Sequence, residues 1–156
     1  MALAAWASGA AAADLISSHS DWKAYRHGEG RDRICFAVSA AKERQPSDPD
    51  RDMPHLYVTT WPGQAVKSEI SIVLGFTPKR GTEISVDVGG TSFTLVTDAD
   101  RGFVGDPADE ERLLEAMRRG VRMTVEATAG DGMRSKDVFS LSGVSASVAA
   151  IGASCS

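Results

Sequence analysis

Three histidines, two widely separated cysteines and two clusters of aspartate are the residues of this 156-residue chain with the clearest chemical potential. Hydrolysis by a triad needs a nucleophile, a base and an acid that orients the base. His19 sits in the polar stretch Ser17-Ser18-His19-Ser20-Asp21, His27 closes a charged run, and His55 follows Pro54. No Gly-x-Ser-x-Gly elbow accompanies them, so they read as surface or strand-end histidines and no catalytic residue is assigned. Clustered aspartates suit a hard cation such as calcium. Asp48, Asp50 and Asp52 form one such cluster, and Asp98, Asp100 and Asp106 the other. Neither carries the twelve-residue loop with its central glycine and terminal glutamate. Asp98 and Asp100 equally suit a turn and Asp106 a helix cap, so no metal ligand is assigned. There is no phosphate-cradling glycine loop, no dinucleotide fingerprint and no close cysteine pair, and no cofactor is expected. Trp61, at a strand end before Pro62-Gly63, and the acidic pair Asp98 and Asp100 remain as a candidate interaction surface, whereas Trp22 reads as core.

Cys35 and Cys155 are spaced wrongly for zinc. In an oxidising compartment a bridge between them would pin the C-terminal tail to the body; the alternative is two separate buried thiols. The formal net charge of −4 and the short, separated basic pairs Lys79-Arg80 and Arg118-Arg119 argue against a nucleic-acid groove. No run of apolar residues is long enough for a membrane-spanning helix. Met1 to Ala13 reads as the apolar stretch and small-residue cleavage site of a secretory signal without its basic start, either truncated or begun too far downstream. Residues 14–156 are expected to form one domain.

These residues need a frame, and the alternation of apolar and polar positions describes a β one. Asp21 to His27 and Arg33 to Ala40 read as a hairpin, with Ile34, Phe36 and Val38 on one face of the second strand and Cys35 on the other. Lys42 to Pro54 reads as an exposed loop with little to bury. His55 to Trp61 and Lys67 to Phe76 are further strands. Glu83 to Val88 and Thr91 to Thr97 flank Gly89-Gly90, a two-residue hairpin turn that needs positive φ. Within this β pattern stands one short helix, about Pro107 to Arg119, with Asp106 as N-cap, acids in its first turn, Arg118 and Arg119 in its last, and Gly120 behind it. Two more strands follow, Val121 to Ala129 and Ser135 to Leu141. The tail, with Val144, Val148 and Ile151, reads as a short helix or turn bringing Cys155 back to the sheet. The expected architecture is all-β: an antiparallel two-sheet sandwich burying the alternating Ile, Val, Leu and Phe residues, with an open barrel as the alternative.

The order of these segments resembles the invasion-associated locus B family of exported bacterial proteins. The resemblance rests on Asp21-Trp22-Lys23-Ala24-Tyr25, Ile34-Cys35-Phe36-Ala37-Val38-Ser39, Tyr57-Val58-Thr59 before Pro62, and Gly75-Phe76 before Lys79-Arg80-Gly81. It continues through Gly90 to Leu95, Thr97 to Asp100, Ala116 to Gly120 and Phe139 to Gly143, and ends at Cys155. It implies an immunoglobulin-like sandwich, a signal peptide, and a periplasmic or envelope-associated location. Founding members of the family are linked to entry into host cells. It implies no catalytic motif, and a non-enzymatic module binding a protein or an envelope component follows. An edge strand or the Lys42 to Pro54 loop is the expected contact surface. The alternative is a hydrolase or metal-dependent enzyme whose site is assembled from scattered His and Asp residues.

Overall fold

The computed structural model describes residues 12–156, so all but the last two residues of the expected leader lie outside the described residues. Eleven strands follow in chain order: β1 (Asp14–His19), β2 (Trp22–His27), β3 (Ile34–Ala40), β4 (Glu43–Gln45), β5 (His55–Trp61), β6 (Val66–Val73), β7 (Ile84–Val88), β8 (Thr91–Asp98), β9 (Arg101–Phe103), β10 (Arg122–Thr128) and β11 (Arg134–Ser140). Helix α1 (Pro107–Arg119) lies between β9 and β10, and α2 (Val144–Ser154) follows β11. Among the described residues the fold is all-β with two short α-helices rather than one, because the tail segment is helical.

Hydrogen bonding runs through one open antiparallel sheet in the order β1-β2-β3-β5-β6-β9-β8-β7-β10-β11-β4. The turnover point is β8. Its residues Thr91 to Leu95 pair with β7, while Val96 to Asp98 pair with β9. The sheet thereby divides into a first arm, β1 to β9, and a second arm, β8 to β4. Side chains from both arms join one buried cluster, including Trp22, Leu56, Ile70 and Ile72 from the first and Ile84, Leu95, Val125 and Phe139 from the second. The layering expected of a sandwich is thus achieved by one sheet turning over on itself, not by two separate sheets.

Gly89 and Gly90 both adopt positive φ, as the hairpin between β7 and β8 requires. Asp106 caps α1 through its carboxylate, which accepts the Ala108 N–H at 2.7 Å. On α2, Val144, Ser147, Val148 and Ile151 are buried. This helix packs on β1, β2 and β3 and is joined to β3 by the Cys35–Cys155 disulfide, whose Cα atoms are 6.0 Å apart. Gly143 starts it at φ 99°, and a Cβ there would lie 1.8 Å from the His19 carbonyl oxygen. Gly143→Ala is therefore expected to destabilise by more than about 2 kcal/mol, combining the left-handed penalty with the overlap. Gly90→Ala, at a position with open space, is expected to lose less; urea unfolding of both variants checks the order.

The Lys42 to Pro54 segment departs from its expected character as an exposed loop. It contributes β4, which pairs with β11, and it buries Arg51. The Arg51 guanidinium donates to both Asp137 carboxylate oxygens, at 2.9 and 2.6 Å, and twice to the Leu74 carbonyl. It also lies 4.8 Å from the centre of the Phe76 ring. Side-chain exposures of 3% and 0% make Arg51 and Asp137 a fully desolvated ion pair tying the loop to both arms. Burial pushes the Asp137 carboxyl above the ordinary aspartate range, against the opposing pull of Arg51 and Arg44.

Helix α1 seals the first arm where β9 stops. Beyond the reach of β9, the Ile70 N–H donates to Glu110 Oε2 at 3.0 Å. Burial raises the Glu110 carboxyl above its ordinary value despite that hydrogen bond, and the Glu69 carboxylate adds to the rise. The folded state therefore binds this proton more readily than the unfolded chain. The resulting stability is present below the ordinary glutamate pKa and is lost as pH rises through the higher folded value. Glu110→Gln keeps an acceptor for Ile70 without the charge. Its melting temperature is expected to match or exceed that of the parent at pH 8 and to show no gain at pH 4.

Candidate functional site

The disulfide fixes which face of β3 looks inward. Cys35, Ala37 and Ser39 are buried, so Ile34, Phe36 and Val38 point outward and are half-buried. This corrects the expectation that alternating bulky residues fill the core at every strand: here the small side chains make room for α2, and the large ones form an outer surface. The same alternation puts Tyr25 of β2 and Tyr57 of β5 on that outer face beside Phe36. Tyr25 and Phe36 stack with ring centroids 5.3 Å apart; Phe36 and Tyr57 follow at 5.9 Å, and Tyr57 and His55 at 6.2 Å. The Arg101 guanidinium lies 5.9 Å from the Tyr57 ring centre.

Cross-strand pairing shows which residues share this face, of which Ser71 and Thr59 are buried. One row runs Lys23, Val38, Tyr57, Ser71, Phe103, Val96 across the first arm, and another runs Leu15, Tyr25, Phe36, Thr59, Glu69. The two marginal apolar residues, Leu15 and Val96, are each 56% exposed. With α2 covering the inner face of β1 to β3, the outer face of this arm presents a half-exposed aromatic ladder with apolar margins. Beside Tyr25 opens a cleft of about 490 Å³ lined by Ser20, Asp21, Lys23, Val38, Lys42 and His55 among others. Lys42 holds Asp21 at 2.6 Å and keeps that carboxyl below its ordinary range, with Ser140 assisting.

Trp61 ends β5, half-buried, with its indole N–H buried and without a partner among the described residues. Asp98 closes β8 opposite Arg101, and Asp100 is exposed in the following turn, its carbonyl accepting the Leu74 N–H. Asp98 and Asp100 adjoin the His55 end of the first arm, through Arg101 and Val73. Trp61 stands at the other end of β5, roughly 20 Å away at strand rise. The structure does not bring Trp61 together with the two aspartates; the aromatic ladder lies between them. Trp22 is fully buried and donates its indole N–H to the Ser140 carbonyl at 2.9 Å, bridging the arms. Asp48 accepts the Asp50 N–H within its own loop.

His19 contacts Ser17 Oγ at 3.0 Å on edge strand β1, His27 ends β2, and His55 reaches the Met53 carbonyl. Among the described residues, no three His, Cys, Asp or Glu side chains come close enough to hold a metal ion. The aromatic ladder and the Arg51–Asp137 pair were missed by the sequence reading. Pairing Cys35 with a C-terminal helix would have forced Phe36 outward, and that parity was the available signal.

A profile of the family described as Invasion associated locus B (IalB) protein matches residues 22–152. The fold is similar to the crystal structure of invasion associated protein B from Bartonella henselae, with a TM-score of 0.62 and 12% identity, covering 90% of this chain and 97% of that one. A search of curated proteins finds no match.

Proposed function

The chain belongs to the invasion-associated locus B family, and from that premise we propose that it is an exported protein of the periplasm or outer envelope acting as a binding or structural module. The observation that carries this reading is the aromatic ladder Tyr25, Phe36, Tyr57 on the uncovered face of the first arm. Tyrosine and phenylalanine anchor interfaces with large contact area and little conformational entropy to lose. The Cys35–Cys155 bond supports export, since such bonds persist outside the reducing cytoplasm. The link to invasion comes from the family description, and the partner is a protein or envelope component. Trp61, Asp98 and Asp100 are proposed as flanking contacts at the two ends of the face.

Cell fractionation tests the reading. The parent protein is expected to sediment with envelope fractions, and Phe36→Ser/Tyr57→Ser is expected to shift it to the soluble fraction while leaving its circular dichroism unchanged. An unchanged distribution contradicts a role for this face. Cleavage before Asp14 is part of the same proposal: mature protein beginning at Asp14 supports it, and mature protein beginning at Met1 contradicts it.

A further inference from the structure

We propose that the cleft beside the aromatic ladder binds an acidic saccharide, with a sugar ring against Tyr25 and Val38 and its carboxylate on Lys23. This rests on the reading of the outer face as a binding surface and names the class of ligand. Four observations converge. The cleft, about 490 Å³, falls within the range of sites for small ligands. Two ammonium groups, Lys23 and Lys42, share it with a single carboxylate, Asp21, already engaged by Lys42. Among the described residues Lys23 has no ion-pair partner, which leaves the cleft cationic in a chain of net charge −4 and complementary to an anion.

Tyr25, Val38, Ala40 and Ala41 line part of the wall, with the Tyr25 ring continuing into Phe36, so it suits a ligand with a C–H-rich face. His55 supplies the fourth observation. Its Nδ1–H donates to the Met53 carbonyl at 2.8 Å, so Nε2 is the ring nitrogen left to accept from a ligand. An acceptor in the same cleft as the cations fits a ligand bearing hydroxyl donors as well as a carboxylate. A simple carboxylic acid would leave His55 unused, and a neutral sugar would leave Lys23 unused.

The test is a titration of the isotopically labelled protein with oligogalacturonate, followed by backbone amide resonances. Neutral maltohexaose and polyglutamate serve as the other two ligands. Oligogalacturonate is expected to shift Lys23, Tyr25, Val38, Lys42 and His55. Maltohexaose and polyglutamate are each expected to bind at least tenfold more weakly. Lys23→Glu should weaken oligogalacturonate binding at least tenfold and His55→Ala severalfold, with other resonances unmoved. No shifts at millimolar oligogalacturonate, or shifts confined to another surface, overturn the proposal. Equal binding of polyglutamate also overturns it, in favour of an acidic polypeptide. If these results accompany envelope release by Phe36→Ser/Tyr57→Ser, the saccharide is refuted and the binding face stands.

Discussion

Arg51→Met is expected to destabilise the protein by about 3–5 kcal/mol at pH 8, the typical penalty for stranding one member of a buried ion pair. Arg51 and Asp137 are both removed from water, and the guanidinium satisfies the carboxylate and the Leu74 carbonyl together. Without it, the buried Asp137 carboxylate loses its hydrogen-bonded partner and keeps only the longer-range attraction of Arg44. The variant escapes by protonating Asp137, whose folded-state pKa already lies above the ordinary value. The penalty should therefore shrink as pH falls and grow as it rises. Arg51→Met/Asp137→Leu should recover most of the loss, because no charge remains buried; the two donors lost to Leu74 prevent full recovery. Urea unfolding of the parent and both variants at pH 4.5 and 8 measures this. A single-variant loss below about 1 kcal/mol at pH 8 would mean that the pair is hydrated in solution.

Removal of the disulfide is the second large effect. Cys35 and Cys155 are 120 residues apart, so their bond closes nearly the whole described chain into a loop. On the chain-entropy model a loop of this size stabilises by roughly 4–5 kcal/mol. Cys35→Ala/Cys155→Ala should lose an amount of that order, measured by urea unfolding. The loss should also have a local signature. Helix α2 has no charged residue and no side-chain N-cap, and packs on β1 to β3 through Val144, Val148 and Ile151. Hydrogen exchange should accelerate first in α2 and β1, with the β7–β8 hairpin retaining its protection. Uniform acceleration would show that the bond acts only on the unfolded chain.

Elements with strong local chemistry were legible in the sequence. Gly89-Gly90 admits little but a tight hairpin, and Asp106-Pro107 followed by acids admits little but a helix start. Elements defined by distant partners were not. Strand β9 is three residues long and exists because Arg101 to Phe103 bridge β6 and β8. A Cβ at its Gly102 would meet Ile84 Cδ1 at 2.6 Å, so the end of that side chain would have to move. Asp137 occupies an inward position between Ser135 and Phe139, where polarity alone argues for solvent. Arg51, 86 residues earlier in the chain, makes the position habitable by hydrogen-bonding both carboxylate oxygens.

The candidate site was hidden by a different assumption, that bulk means burial. In β3 the disulfide reverses it: Cys35 and Ala37 face α2, while Phe36 faces outward between Tyr25 and Tyr57. Trp61, Asp98 and Asp100 were visible as chemical types, but their separation along the arm follows only from pairing register.

Photo-crosslinking in intact cells probes the aromatic face most directly. A photoreactive phenylalanine replaces Tyr57 in one version of the protein and Thr94, exposed on the second arm, in another. Discrete crosslinked envelope species are expected from position 57 and none from position 94. Equal capture from both positions, or capture from position 94 alone, would contradict a role for the aromatic face.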